Sequence, residues 1–388
     1  MELLLHEYEL PLKHPFTISR GTTTAQRTLI VELQQDGVSG YGEAIANTYY
    51  DSPMDSMRAR LQSVQTMLGG ETFRDTESFW KLCAERLADA SFVLSALDCA
   101  AHDLWGRLEG APVHRLWGLD PADAVNSSYT IGIAEVDKMV HKLAEMPGWP
   151  VYKIKLGTAH DVEIIQALRE HTEAVFRVDA NCGWAPGEAA TLSAEMARHG
   201  VEFIEQPLPP EAGEAQVQLF RESTLPIIAD ENCVGEADVP LCIGHFHGIN
   251  IKLCKCGGLT PARRMITTAR DHGLKVMVGC MTESSVGISA AAQLTPLLDY
   301  ADLDGAVLLA KDAADGVQLH QGQFVFPSEP GLGIRALKER HPRDQVAKLR
   351  FPSWPNAAAW LRKIGLLGMP AMMVSQQHSA QAPCDPFA

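Results

Sequence analysis

The sequence predicts an α/β protein: a barrel of parallel strands wrapped by helices, preceded by a separate α+β domain. Three observations point there. Short β-branched and aromatic runs recur through the middle of the chain at intervals of roughly 22 to 26 residues, each followed by a segment of helical period, as buried parallel strands in βα units do. Three of these runs close on an acidic residue, Asp179, Glu205 and Asp230, spaced by 26 and 25 residues. The start of the chain, by contrast, places its strand-like runs first and its helices afterwards, the order of an independent α+β unit.

That first unit, residues 1–118, has strand-like runs at Leu3 to Leu10, Thr28 to Gln34 and Gly40 to Ile45, then helical patterns near Pro53 to Leu68, Thr76 to Ala88 and Phe92 to Leu108. Two of its loops, Arg20 to Thr24 and Ala46 to Asp51, are expected to reach over the barrel mouth, where a lid excludes water and selects substrates. The barrel domain, 119–312, has strand candidates at Asn126 to Ile133, Val151 to Lys155, Ala174 to Val178, Val201 to Ile204, Pro226 to Ala229, Ile249 to Lys252, Leu274 to Met281 and near Asp302 to Val307. Eight strands in about 180 residues fit such a barrel, whose functional side chains gather at the C-terminal strand ends. Residues 313–336 read as a return hairpin packing on the first domain. The extension 337–388 is basic at first, carries an amphipathic stretch near Ala357 to Leu367, and ends in Gln, Ser, Ala and Pro, a texture expected to be poorly ordered.

Composition narrows the class. A chain of 388 residues, 46% hydrophobic and 21% charged, has material for a large core. Its net charge of −15 disfavours nucleic acid and anionic membranes as partners, since both require a basic footprint. Nine scattered cysteines do not form the pattern of a disulfide framework and suit a reducing compartment. Met1 leads straight into strand-like residues without a signal-peptide pattern. The longest apolar stretch, Ile364 to Val374, is broken by Gly368 and Pro370 and is too short for a bilayer. A cytoplasmic enzyme acting on a small molecule is the expectation, with homo-oligomer formation left open.

Three carboxylates at one end of successive parallel strands repel one another unless a cation joins them. Oxygen donors alone favour Mg²⁺, with positions open to water or substrate. Lys153 and Lys155 alternate with Ile154, so both face one side of their strand. Lys252 ends the sixth strand, opposite the second, so Lys155 and Lys252 flank whatever the cation holds. Two amines on opposite faces of one carbon are what a 1,1-proton transfer requires, and burial with neighbouring positive charge should lower them from ~10.4 towards roughly 7 to 8. Lys255 is expected to face the Gly257-Gly258 turn, and Cys254 and Cys256 to be ordinary buried thiols.

The series Lys153-x-Lys155, Asp179-x-Asn181, Glu205-Gln206-Pro207, Asp230-Glu231 and Asn250-Ile251-Lys252 followed by Gly257-Gly258 resembles the enolase superfamily, muconate lactonizing enzyme subgroup. Asp302-Leu303-Asp304 resembles the Asp-x-Asp signature of its dipeptide epimerases, the L-Ala-D/L-Glu epimerases among them. The resemblance implies a modified (β/α)7β barrel with a capping domain. It implies one Mg²⁺ per subunit on Asp179, Glu205 and Asp230, with Asn181 and Glu231 behind them, and Lys155 and Lys252 as the acid/base pair. It also implies Lys153 near the substrate carboxylate and Asp302 with Asp304 on the α-ammonium. The activity implied is epimerisation of the C-terminal residue of an L-Ala-L-Xaa dipeptide through an enediolate. Thr130, Cys280 and Arg20 are further candidate substrate contacts. Where glutamate-specific relatives carry a basic residue after the Arg-Gly of the first loop, this chain has Thr22, Thr23 and Thr24, so a glutamate preference is not expected. Tyr49, Tyr50 and Asp51 suit an apolar or basic side chain instead. Rival expectations are an o-succinylbenzoate synthase, N-acylamino acid racemase or cycloisomerase on the same fold, and a non-catalytic, metal-dependent binding barrel.

Overall fold

The computed structural model describes residues 1–338 and the backbone of Val346–Ala347; the stretch read at Ala357 to Leu367 lies outside the described residues. Three antiparallel strands, β1 (Glu2–Ile18), β2 (Gly21–Gln35) and β3 (Val38–Ile45), precede three helices, α1 (Met54–Gly69), α2 (Thr76–Leu87) and α3 (Ser91–Leu108). The β1–β2 hairpin is longer than its apolar residues suggest. Pairing runs to Ile18 opposite Gly21, so Thr22 and Thr23 belong to a strand and the tip is Ser19 and Arg20. A threonine run is ambiguous in sequence because its β-branched side chain suits a strand and its hydroxyl suits a loop.

Strand β2 is buried on both faces. Leu29, Val31 and Leu33 pack with Leu61, Val64 and Leu97 of the helices, while Ile30 joins the core of the barrel. Helix α3 lies so close to β3 that a Cβ on Gly40 or Gly42 would strike the backbone of Ala100 or Ala96. Glycine is required there for contact, and overpacking such a seam costs about 1–3 kcal/mol. The same helix reaches the barrel through Asp98, whose carboxylate accepts from the Thr260 amide (2.8 Å) and hydroxyl (2.7 Å).

After a short turn of helix, α4 (Val113–Leu116), eight parallel strands follow in sequence order: β4 (Tyr129–Ile131), β5 (Val151–Lys155), β6 (Val175–Asp179), β7 (Val201–Glu205), β8 (Ile227–Ala229), β9 (Gly248–Ile251), β10 (Lys275–Gly279) and β11 (Tyr300–Asp302). A bridge between Ser127 and Ala301 brings the first beside the last, so the barrel is nearly closed. Helices α5 (Val136–Glu145), α6 (Asp161–Arg169), α7 (Pro186–Arg198) and α8 (Glu214–Glu222) cover β4 to β7. Two 3₁₀ turns follow β8, α9 (Leu253–Cys256) and α10 (Leu259–Asp271) follow β9, α11 (Ser285–Ala292) follows β10, and one turn, α12 (Gly305–Leu308), follows β11. This is the expected modified barrel with a separate antiparallel N-terminal sheet.

The last strand differs from the reading near Asp302 to Val307. It ends at Asp302, and the apolar residues beyond it turn into helix as the Val307 and Leu308 amides bond back to the Asp304 carbonyl at 2.8 and 3.3 Å. A short apolar run has no period from which to tell the two apart.

Outward strand residues such as Ile154, Val178 and Ile249 pack under the helices with Ile165, Leu168 and Met265. Inside, Phe203, Ile228 and Met277 form a small apolar plug, with the Arg177 guanidinium over the rings of Phe203 and Tyr300. Above that plug the interior is polar. The cap is fixed to this end by Glu43 of β3, which accepts from Thr28 Oγ1 (2.7 Å), Ser284 Oγ (2.5 Å) and the Gly287 amide (2.9 Å). Beyond the barrel, β12 (Gln318–His320) and β13 (Gln323–Val325) pair as a hairpin, and the chain returns to α3, where the Leu332 amide donates to Asp103 Oδ1 at 2.7 Å. Among the described residues no helix is long and apolar enough to cross a membrane, and the eight described cysteines are free thiols.

Candidate active site

Strand β5 pairs with β6 so that Lys155 stands opposite Asp179, and beyond a register shift near Val178 β6 pairs with β7 so that Asp179 stands opposite Glu205. Asp230 and Lys252 each stand one residue beyond the ends of β8 and β9. One oxygen of each of Asp179, Glu205 and Asp230 lies within 4.8 Å of the other two, and all three residues are buried.

Each of these carboxylates has an outer and an inner oxygen. The outer ones are fixed by donors of the framework: Asp179 Oδ1 by the Asn181 amide (2.9 Å), Glu205 Oε1 by Asn250 Nδ2 (2.8 Å) and Asp230 Oδ1 by Lys255 Nζ (2.5 Å). The inner ones face the lysines. Asp179 Oδ2 is 2.6 Å from Lys155 Nζ, Asp230 Oδ2 is 2.6 Å from Lys252 Nζ, and Glu205 Oε2 is 2.7 Å from Lys153 Nζ. Glu205 Oε2 is fully buried and receives no properly directed hydrogen bond. Three inward carboxylate oxygens, one of them an orphan, are a donor set that fits a hard divalent cation.

The electrostatics follow from this packing. Burial by itself would raise Asp179, but Lys155 and Lys153 hold its carboxyl below the usual range. Asp230 is likewise held well below it, against burial, by Lys252 and Lys255. Burial and the neighbouring Asp179 push Glu205 up to about 7. Lys252, expected to fall towards roughly 7 to 8, is instead held well above the ordinary lysine value, against burial, by Asp230 and Glu205. The expected fall rests on positive neighbours; here the carboxylates of Asp230 and Glu205 outweigh Lys153, which acts the other way.

Lys153 is 1% exposed and lies beneath the cavity, bridging Glu205 Oε2 and Asp302 Oδ2, both at 2.7 Å. Asp302 Oδ1 accepts from Ser128 Oγ (2.8 Å) and Thr130 Oγ1 (3.2 Å). Asp304 accepts from the Thr130 amide (2.6 Å) and hydroxyl (3.1 Å). Burial, then Asp302, pushes Asp304 up to about 7, whereas Lys153 holds Asp302 below the usual range against its own burial.

A cavity of about 380 Å³ covers this floor, with Lys155, Lys252, Asn181, Thr130, Cys280, Asp302 and Asp304 contributed by the barrel and Arg20, Thr22, Thr23, Tyr49 and Tyr50 by the first domain. The Cys280 amide donates to the Asp302 carbonyl at 3.1 Å, and burial pushes its thiol well up. Arg20 lines the cavity but is already engaged: Nη1 is 2.8 Å from Glu231 Oε1 and 3.2 Å from the Asn181 carbonyl, and the guanidinium lies 4.4 Å over the Tyr49 ring. Burial, then Asp230, raises Glu231.

The structure therefore gathers the thirteen candidate metal, catalytic and substrate residues at one end of the barrel, whereas Asp51, read with Tyr49 and Tyr50 as facing the substrate side chain, does not line the cavity. Lys255 was misread. It points at Asp230 and not at the Gly257-Gly258 turn, because it lies in the helical turn α9 after β9, from which its ammonium reaches the Asp230 carboxylate and the Cys233 carbonyl. Gln206 also went unassigned; its Oε1 accepts the Asp230 (2.9 Å) and Asn232 (3.2 Å) amides, although φ is +36° there. So did Asn250, although it alternates with Lys252 as Lys153 does with Lys155, a signal that was available.

A parallel barrel with an antiparallel cap and a buried acidic triad between lysines defines the enolase class of barrel. More particularly, the chain belongs to the mandelate racemase / muconate lactonizing enzyme family, which it matches over residues 1–118, while residues 135–340 match the enolase C-terminal domain-like barrel. It is 49% identical over 337 residues to the L-Ala-D/L-amino acid epimerase of Flavobacterium johnsoniae, covering 87% of this chain and 100% of that one. A protein of the same description from a Maribacter species is 50% identical over 335 residues, covering 86% and 99%. Among solved structures, the dipeptide epimerase of Cytophaga hutchinsonii complexed with Mg and D-Ala-L-Val superposes with a TM-score of 0.82 at 27% identity, covering 87% of this chain and 96% of that one.

Proposed function

We propose that this protein is a Mg²⁺-dependent dipeptide epimerase that inverts the α-carbon of the C-terminal residue in dipeptides of the L-Ala-L-Xaa type. One observation carries the reading: Lys155 and Lys252 stand at the ends of β5 and β9, four strands apart in an eight-stranded barrel, and contact different carboxylates of one buried triad. Amines on opposite sides of a carbon allow one to take the α-proton and the other to deliver a proton to the far face. In this reading residues 1–118 form the cap, 119–312 the catalytic barrel and 313–336 the return segment.

Asp179 Oδ2, Glu205 Oε2 and Asp230 Oδ2 would hold the metal, which when bound supplies positive charge against the negative charge developing on the substrate carboxylate. Asp304 and Asp302 bind the α-ammonium at the far wall, where Thr130 fixes both carboxylates. Lys153 ties that wall to the triad from below. Tyr49, Tyr50 and the hairpin tip roof the cavity and exclude water. The relatives described above, of which one is complexed with a dipeptide and Mg, support the substrate class.

The test is hydrogen exchange at the α-carbon. Incubation of L-Ala-L-Xaa dipeptides in D₂O with Mg²⁺ should place deuterium at the C-terminal α-carbon and yield the epimer. Lys155→Ala and Lys252→Ala should each lower epimerisation by about 10³-fold or more. Retained epimerisation in either variant would sink the two-base scheme.

A further inference from the structure

Lys255, like Lys153, stands at the barrel mouth without lining the cavity. Its side chain is completely buried, yet its ammonium has four oxygen neighbours: Asp230 Oδ1 (2.5 Å), the Asp230 carbonyl (2.6 Å), the Cys233 carbonyl (3.0 Å) and the Asn250 carbonyl (3.4 Å). A fully buried ammonium persists only when paired and hydrogen-bonded. Here the charge is met by one carboxylate oxygen, and the remaining donors go to backbone carbonyls at the ends of β8 and β9.

Two of the four neighbours belong to Asp230 itself. Holding Oδ1 and the carbonyl of one residue from a single point fixes both its backbone and the rotation of its carboxylate. Only Oδ2 is then turned to the centre of the triad, where Lys252 meets it at 2.6 Å. Glu205 has the same division, its Oε1 held by Asn250, a residue whose own carbonyl also lies against Lys255.

We propose that Lys255 is a positioning residue that presents Asp230 to the metal through one oxygen only. The proposal rests on the triad being the Mg²⁺ site. Two effects of the lysine oppose each other: its charge repels a nearby cation, while its hydrogen bonds hold the ligand in place. The full engagement of Oδ1 makes the second effect dominant, because that charge is neutralised on the side of the carboxylate away from the triad. Outer partners of this kind typically contribute 10–100-fold to metal affinity.

The experiment is Mg²⁺ titration calorimetry on the parent and on Lys255→Met, each first shown to be folded by circular dichroism, together with a crystal structure of the Mg²⁺-loaded parent. Lys255→Met should bind Mg²⁺ about ten- to a hundredfold more weakly and recover most of the parent kcat at saturating Mg²⁺, a split that a lysine serving stability alone does not produce. In the loaded parent, Asp230 should ligate through Oδ2 with Lys255 still on Oδ1. A folded Lys255→Met with equal or tighter Mg²⁺ binding overturns the proposal. So does bidentate ligation by Asp230 in the parent, which decides the matter even if the variant does not fold. A parent that takes up no Mg²⁺ at all defeats the metal reading itself, and is told apart by the same titration.

Discussion

Asp179 and Asp230 are buried with lysine ammoniums against their oxygens, and both are held below the ordinary carboxyl range. Asp304 is as deeply buried but, among the described residues, takes its side-chain hydrogen bonds from the Thr130 amide and hydroxyl, and burial followed by the repulsion of Asp302 pushes it up to about 7. The first cluster carries its counter-charge within the protein; the second is short of one. A buried carboxylate held near neutrality beside a cavity gains from an arriving cation, which fits an α-ammonium at that wall. The lysines opposite the first cluster are free to act on the substrate only when another cation holds those carboxylates.

The comparison breaks most sharply at Asp304. Asp304→Asn removes the charge while keeping the shape, leaving a buried ammonium without its counter-ion. Charge-assisted bonds of this kind contribute about 2–3 kcal/mol, so kcat/KM for a free dipeptide should fall roughly a hundredfold. An N-acylated analogue has no ammonium and should be nearly indifferent to the change. Equal losses on both substrates would mean that Asp304 serves the barrel and not the substrate.

A smaller effect follows in pH. Asp304 must be ionised to hold the ammonium, so binding releases a proton wherever the empty site carries one. As pH falls below about 7, KM should rise by up to about tenfold per unit, with the substrate ammonium itself unchanged in that range. The dependence should vanish in Asp304→Asn. A KM that is flat between pH 5 and 7 in the parent would show that the carboxylate is already ionised. The sign is opposite for the fold: a carboxyl raised above its unfolded value favours the native state at low pH, and that contribution is lost as pH rises towards about 7.

Much of this was legible before any coordinates. Asp179, Glu205 and Asp230 were readable because a βα repeat puts strand ends at near-constant spacing, and Lys153 and Lys155 because alternation along a strand fixes which side a residue faces. What the spacing could not give was the rotation of each carboxylate. That is decided by the side chains of Asn250 and Lys255, which reach over from elements distant in sequence, and by the backbone amide of Asn181, whose left-handed turn no side-chain pattern announces. The length of the first hairpin was hidden for a related reason. Thr22 and Thr23 pair with Thr17 and Phe16 across a turn, and the threonine run that opens β2 lacks the apolar alternation that marks a half-buried strand.

The smallest expected effect concerns the roof and decides what Arg20 does. The sequence leaves it as the nearest cation to an acidic substrate side chain, but in the structure its guanidinium is closed on Glu231, the Asn181 carbonyl and the Tyr49 ring. Reading a glutamate would require breaking the Glu231 pair, whose carboxylate is 1% exposed, and an unpaired buried carboxylate is costly. Arg20 therefore latches the hairpin tip to the barrel, and among the described residues the cations lining the cavity, Arg20, Lys155 and Lys252, are each paired with a carboxylate of the protein. L-Ala-L-Gln should be turned over at least as well as L-Ala-L-Glu, and Arg20→Met should lower kcat/KM for both by a similar factor, roughly three- to tenfold from a loosened roof. A selective loss on L-Ala-L-Glu would show instead that the arginine leaves Glu231 when substrate binds, so that the roof, like Asp304, is completed by the ligand.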